Sequence, residues 1–309
     1  MALSLAEAAK LSNDVVLAGV IETTISYDPL LGNLLPWEKV EGNAITYNRE
    51  NAAATVAWRA VGDTWTEDTP TFTQVTASLA IVGGDADVDN YIQLTRSNVQ
   101  DIAATALQLK AKALAYDISD KIVYGSGAAN QPSGLHVLMP AAQQLHQGAG
   151  AVGAALSLAN LDTLVDLIRP RPDVLMMNRN VRRRLSQYAR GNGSPVIFPI
   201  DMFGVQVYTY GGIPIVVNDF MTQTETIAAG AYTAKTGGAT SSIFALRFGE
   251  ADGFAMGYGG PSPIQLETIG TLETKDATRY RVKSYCTPLL FSTLAVARLD
   301  GITDVAAVA

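Results

Sequence analysis

Two rows of apolar positions run through the middle of the chain. Starting at Val99, apolar or small residues fall at Ile102, Ala106, Leu109, Ala113 and Tyr116, and a second row passes through Leu107, Leu114, Ile118 and Ile122. Spacings of three and four keep each row on one side of a helix. A helix apolar on more than one side must be covered on more than one side. The pattern predicts a helix from Asn98 to Val123, roughly 26 residues and about 39 Å long at ~1.5 Å per residue, which is the width of a domain and reads as a spine. Gly125-Ser126-Gly127 ends it, and Asn130-Gln131-Pro132-Ser133-Gly134-Leu135 follows as a structured turn.

The segments before the spine are patterned differently. Leu5, Ala8, Leu11, Val15 and Ala18 predict an amphipathic helix over residues 3–21, broken by Gly19 and Asp28-Pro29. Leu30 to Val40, with Pro36 and Trp37, is apolar but irregular. From Asn43 to Thr95 the period becomes two. Ile45, Tyr47 and Arg49, then Val56, Trp58 and Ala60, alternate outward, and Thr73, Val75, Ala77, Leu79 and Ile81 alternate on the return opposite Phe72, Gln74, Thr76 and Ser78. This predicts a long hairpin whose polar turn, Gly62 to Pro70, carries Trp65. A two-stranded hairpin with so few apolar residues at its tip is marginal unless a partner supports it.

After the turn, His136 to Gly153 reads as loop. Ser157 heads a short helix through Leu158, Leu161, Leu164, Val165 and Ile168 that stops at Arg169-Pro170. Val174-Leu175-Met176-Met177 is a short buried strand, and Asn178 is placed to cap the helix carrying Arg182, Arg183 and Arg184. Val205 to Val217 predicts two strands around Gly211-Gly212, and Ile243 to Phe248 another. Short buried strands alternating with helices predict an α/β module. The tail predicts a meander: Ile264 to Thr271, then a strand with Arg279, Arg281 and Lys283 on one face and Tyr280, Val282, Ser284 and Cys286 on the other, then Pro288 to Leu299. Its apolar face and the spine each need a cover, and packing them together solves both, with the α/β module inserted between.

Composition sharpens this picture. The 309-residue chain is 48% hydrophobic and 17% charged, a balance common where much surface ends against other subunits and equally explained by a large monomer core. A net charge of −7 argues against a whole-chain nucleic-acid binder. The single cysteine, Cys286, excludes an internal disulfide framework and reads as a core residue in a reducing compartment. No apolar run is long enough to span a membrane, and Met1 to Glu7 lacks the start of a signal peptide.

A catalytic constellation is missing. His136 and His146 are the only histidines, without a metal-binding spacing, and both read as loop or surface residues. Gly125-Ser126-Gly127 follows a helix and is no nucleophile elbow, and Ala234-Lys235-Thr236-Gly237 reverses the order of a phosphate-binding loop. No cofactor is expected. Arg179, Arg182, Arg183, Arg184 and Arg190 form the one basic patch: a phosphate-contacting surface, or a solvated helix face, or ion pairs to an acidic neighbour such as Asp85, Asp87 or Asp89. Trp58 and Trp65 are exposed in a monomer, whereas at an interface aromatics are favoured anchors.

Arm, long hairpin, spine, glycine turn, inserted module and closing meander occur in one order. Together with Ile122 to Leu135, Pro172 to Asn178, Gly212 to Asp219 and Arg279 to Val282, that order resembles the major capsid proteins of tailed bacteriophages, whose Johnson fold is shared with encapsulin nanocompartments. The resemblance implies an α+β fold with an N-arm at 1–41, an extended E-loop at 42–95, a peripheral domain at 96–134 plus 261–309, and an axial domain at 135–260. It implies self-association into the pentamers and hexamers of an icosahedral virion shell around double-stranded DNA, assembled in a bacterial cytoplasm with portal and decoration proteins and with a separate scaffold or none. Trp37, Trp58, Trp65, Phe72, Arg182, Arg183 and Arg184 are the expected assembly residues. Some members cross-link a hairpin lysine to a neighbouring asparagine, but here no lysine lies between Lys39 and Lys110. An encapsulin-like compartment enclosing a cargo enzyme is the alternative within the fold, and an α/β enzyme with an unrecognised site is the alternative outside it.

Overall fold

The computed structural model describes residues 28, 34–52, 54–65, 67–96, 102–148, 152–191, 197–202, 205–227 and 235–308. The helix expected over residues 3–21 lies outside them. Three sheets, five α-helices and a 3-10 helix at Ala141–Gln143 make up the described chain.

The hairpin forms from β2 (Ala44–Ala52) and β3 (Thr71–Ser78), an antiparallel pair in register from Ala44 opposite Ser78 to Glu50 opposite Phe72, with a bulge before Ala52 meets Thr71. It is a sheet of its own. The alternation at Val56, Trp58 and Ala60 does not make a strand, because the pairing ends at Ala52 and, among the described residues, no strand pairs with residues 54–60. The return strand also breaks at Leu79, and β4 (Ala80–Asp89) leaves the hairpin to pair with β13 (Ala277–Leu290).

β13 is the hub of a five-stranded sheet. Its flanks carry β4, β12 (Gln265–Thr271) and β11 (Phe254–Gly259), and β11 pairs in parallel with β1 (Trp37–Val40). The basic face of β13 is neutralised by its neighbours: Arg279 chelates Asp87 at 2.6 and 2.8 Å, Arg281 chelates Asp85 at 2.6 and 2.9 Å, and Lys283 reaches Glu267 at 2.7 Å. Opposite charges directly across a ladder stabilise the pairing.

Helix α1 (Asn90–Arg96) precedes the spine α2 (Ile102–Tyr124). The expected first turn of the spine, before Ile102, lies in residues 97–101, outside the described chain. The row that meets the core is Leu114, Ile118 and Ile122, joined by Val123 and Tyr124, whereas Leu109 is 40% exposed. Gly125 and Gly134 close the turn below it: Gly125 N–H bonds to Lys121 O and Gly134 N–H to Gly125 O, both at 2.9 Å. A Cβ on Gly125 would run into the Pro132 carbonyl, so this crossing requires glycine.

The third sheet has seven strands in the order β5, β14, β10, β6, β9, β8, β7, with β5 at Gln144–His146, β6 at Val174–Met177, β7 at Ile197–Met202, β8 at Val205–Tyr210, β9 at Ile213–Val217, β10 at Thr240–Leu246 and β14 at Val296–Thr303. The closing meander therefore divides. β12 and β13 stay with the spine, but β14 inserts between β5 and β10 of the inserted module. The burial pattern explains it. Phe244, Leu246, Met176 and Val296 face the spine core, whereas Ile243, Ala245, Leu175, Met177, Ala297 and Leu299 face a second core under α4 (Leu158–Asp166) and α5 (Arg179–Gly191). A sheet covered on both faces reads as continuous apolar sequence, and it is also the second cover that the spine requires. The remaining helix, α3 (Leu135–Leu138), follows the glycine turn.

Candidate assembly surfaces

The hairpin tip presents its large apolar side chains to water. Val56, Trp58 and Val61 are fully exposed, and Trp65 and Phe72 are 69% and 66% exposed. Local polar bonds shape the tip all the same. Asp68 accepts from Thr55 N–H at 2.8 Å and from its hydroxyl at 2.5 Å, which holds the Asp68 carboxyl below the usual range. Asp63 accepts from Ala60 N–H at 3.0 Å, and Arg59 lies over the Trp65 ring at 4.9 Å. Aromatic area held out of contact on an ordered loop is area ready for a partner.

Trp37 is not part of this surface. It lies in β1, partly buried against the spine core and edge-on to Tyr258 at 6.2 Å. The irregular apolar sequence around it gave no sign of the parallel pairing of β1 with β11.

The arginine helix is placed elsewhere, over the seven-stranded sheet. Asn178 caps it as expected, accepting from Asn180 N–H at 2.6 Å and Val181 N–H at 3.1 Å. The acidic partners differ from those anticipated. Arg183 and Arg184 both reach Asp304, at 3.0 and 2.7 Å, Arg179 chelates Asp219 at 2.5 and 2.6 Å, and Arg182 covers the Tyr208 ring at 5.3 Å. Asp85 and Asp87 are taken by Arg279 and Arg281. Hydrogen bonds from Arg184, then Arg183, hold the Asp304 carboxyl below its ordinary range.

His136 is no surface residue. It is fully buried on α3, stacked on Tyr124 at 5.0 Å and edge-on to Phe244 at 5.1 Å. Around it lies a network that joins the spine exit to the seven-stranded sheet. Tyr124 and Ser242 donate their hydroxyls to Glu225, and His136 Nε2 lies 3.9 Å from the Glu225 carboxylate. Arg298, fully buried, meets His136 Nδ1 on one side and donates to Asp300 at 2.7 Å on the other. Asp300 continues to the half-exposed His146 at 2.6 Å. Burial pushes Glu225 up to about 7, and burial with the Arg298 charge holds His136 well below its ordinary value. Arg298 and Asp300 stood in the sequence as two charges inside the apolar run Leu294 to Ile302, a signal that a buried polar pair was needed there. Among the described residues, no cluster of three or more His, Cys, Asp or Glu side chains is arranged to hold a metal ion.

With this geometry in hand, relatives are informative. The profile of the Phage capsid family matches residues 15–243. The chain belongs to the phage capsid family. That membership makes it a major capsid protein, a structural subunit built to associate with its own copies. The Johnson fold is corroborated by solved structures at low identity. The SrpI encapsulin of Synechococcus elongatus is 19% identical with a TM-score of 0.71, covering 100% of this chain and 99% of its own. The capsid of a native GTA particle is 16% identical with a TM-score of 0.63, covering 97% and 100%. The capsid of the Myoviridae phage XM1 is 14% identical with a TM-score of 0.61, covering 92% and 95%. No curated protein matches the chain in a sequence search.

Proposed function

We propose that this capsid protein closes the icosahedral shell of a tailed bacteriophage around double-stranded DNA, and that the hairpin is its assembly arm. The observation that carries the proposal is the set of exposed Val56, Trp58, Val61, Trp65 and Phe72 on a two-stranded ribbon with no core of its own. A tryptophan side chain buries about 150–250 Å². At about 25 cal/mol per Å², each one covered by a neighbour contributes roughly 4–6 kcal/mol before ordering costs. The five-stranded sheet with the spine forms the peripheral unit of a capsomer, and the seven-stranded sheet with α4 and α5 forms the axial unit that meets its copies at capsomer centres. Trp58, Trp65 and Phe72 are the interface anchors. Arg182, Arg183 and Arg184 serve the subunit's own packing more than DNA, because Asp304 and Tyr208 already engage them. Packaged DNA is bound without sequence preference, with portal and decoration proteins as further partners of the shell. Assembly takes place in the host cytoplasm.

Electron microscopy of the purified protein tests the shell, and the length of nuclease-protected DNA inside tests its contents. Closed icosahedral particles holding a genome-length fragment are expected in infected cells. Small closed particles filled with one protein species and no DNA would instead establish the compartment reading, which the likeness to the encapsulin over the whole chain favours. A monomeric protein at all concentrations would overturn both.

A further inference from the structure

The hairpin is joined to the body by two short joints, residues 41–43 between β1 and β2 and Leu79 between β3 and β4, with Gly42 at φ +97° in the first. Leu79 N–H bonds to Asn43 O at 2.9 Å and ties the joints to each other, while the Leu79 side chain rests against Gly259 of β11. β2 and β3 share no ladder with the five-stranded sheet. A cleft of about 610 Å³, lined by Tyr47, Val75, Ala77, Asn130, Pro132 and Pro288, separates the hairpin base from the glycine turn. Such a ribbon has joints to swing on and room to swing into.

One set of side-chain bonds opposes that motion. The Tyr47 hydroxyl donates to Leu290 O at 2.8 Å, and its ring meets Phe291 edge-on at 5.1 Å. Arg49 Nε donates to Phe291 O at 3.0 Å, while its Nη2 donates to Leu290 O and to the Tyr47 oxygen, the latter at 3.2 Å. The guanidinium lies over the Tyr47 ring at 5.4 Å. The corner they grip is itself fixed: Phe291 N–H bonds to Gly253 O at 3.1 Å, and Ser292 shapes the turn into β14. A planar fork gripping two successive carbonyls fixes direction as well as distance, which a single ammonium cannot do.

We propose that Tyr47 and Arg49 clamp the hairpin to the Leu290–Phe291 corner, setting the angle at which the arm leaves the body and, through it, the curvature at which copies close. The curvature half rests on the assembly-arm reading above; the angle half stands on one subunit alone. Both residues point at the body from the half of the hairpin nearest it, far from Trp58 and Trp65, so loss of the clamp loosens the arm without removing its anchors.

The test uses the full chain with spin labels at Glu67→Cys on the tip and Glu273→Cys in the turn after β12; Cys286 is buried and stays unlabelled. Distances are measured by pulsed electron resonance on subunits kept below the assembly concentration, and shells are then grown and sized by electron microscopy. Arg49→Ala should widen the distance distribution at least twofold, with Tyr47→Phe between it and the parent. Its shells should fall into two or more diameter classes where the parent gives one. Arg49→Lys, which keeps the charge and loses the fork, carries the same expectation should the alanine variant fail to fold. An unchanged distribution overturns the clamp. A widened distribution with shells of a single parental diameter overturns its control of curvature. If the parent itself forms no shells, the assembly reading fails while the distance result still decides the clamp.

Discussion

A carboxyl group that is ordinarily ionised at pH 6 is held protonated inside this protein, beside an imidazole that is ordinarily charged and here is neutral. Glu225 holds a proton up to about pH 7, against 4.5 for the exposed side chain, because it is buried. Between those values the folded chain keeps a proton that the unfolded chain has released, so the Glu225 contribution to stability falls as pH rises through the window. His136 works the other way: below its ordinary 6.5 the unfolded chain binds a proton that the folded chain refuses, so its contribution falls as pH drops. Where the two windows overlap, the two slopes oppose each other. Separating them should expose both. Glu225→Gln leaves the histidine alone and is expected to melt lower at pH 5 than at pH 7. His136→Gln leaves the carboxyl alone and is expected to melt higher at pH 5 than at pH 7, with a full span of about 3 kcal/mol. Thermal melts of unassembled subunits read this directly, and parallel pH profiles for the two variants would sink the pairing. At the arm, Trp58→Ala with Trp65→Ala is expected to raise the subunit concentration needed for shells at least tenfold while leaving the melt within a degree or two, since neither side chain touches the core.

Among the elements, the hairpin tip can be removed cleanly. Replacing residues 53–70 with Asn-Gly joins Ala52 to Thr71 through a two-residue turn suited to their antiparallel register. The product should fold cooperatively, sediment as monomers or small oligomers, and build no shells. Normal particles from this variant would show that the tip is not the arm. For helix α5, Arg182, Arg183 and Arg184 changed together to Gln should lower the melting temperature by a few degrees through loss of the Asp304 pairs, an effect shrinking in high salt. DNA per full particle should stay unchanged; selective loss of DNA from intact shells would favour phosphate contact. Elements whose order is local were legible in the sequence. Asn178 and the β6 strand it follows, the glycine turn and the exit of the spine each depend on neighbours within a few residues. Pairings across a hundred residues were not. Val56 to Ala60 alternates like a strand yet has no partner strand among the described residues, and β14 reads like any apolar strand, with no local mark of the sheet that receives it. The buried network stayed hidden for a related reason: His136 looks the same in sequence whether water or Arg298 lies beside it, and the acid, Glu225, comes from a loop 89 positions away. Tyr47 and Arg49 alternate correctly on β2, but what they grip lies at the far end of the chain.

For the whole molecule, the shell should be held without covalent links between copies. No lysine occurs from residue 40 to residue 109, so the hairpin lacks the amine that an isopeptide bond requires. Boiled particles should run on a denaturing gel as one band near 32.7 kDa, and a ladder of multiples would refute this. The placement of β13 and β14 has a further consequence, for the chain as it is being made. Neither large sheet can be completed until residues 277–303 have left the ribosome, because one strand is the hub of the first sheet and the other fills a slot between β5 and β10 of the second. The hairpin, at 44–78, emerges far earlier. At about 5–20 residues per second, on the order of ten to fifty seconds separate the two. Throughout that interval a nascent chain displays its tryptophans but has no finished body to carry them and no Leu290–Phe291 corner to aim them. On the assembly-arm reading proposed above, neighbouring ribosomes on one message would hold arms with nowhere to dock, and translation itself would delay assembly until each subunit is whole.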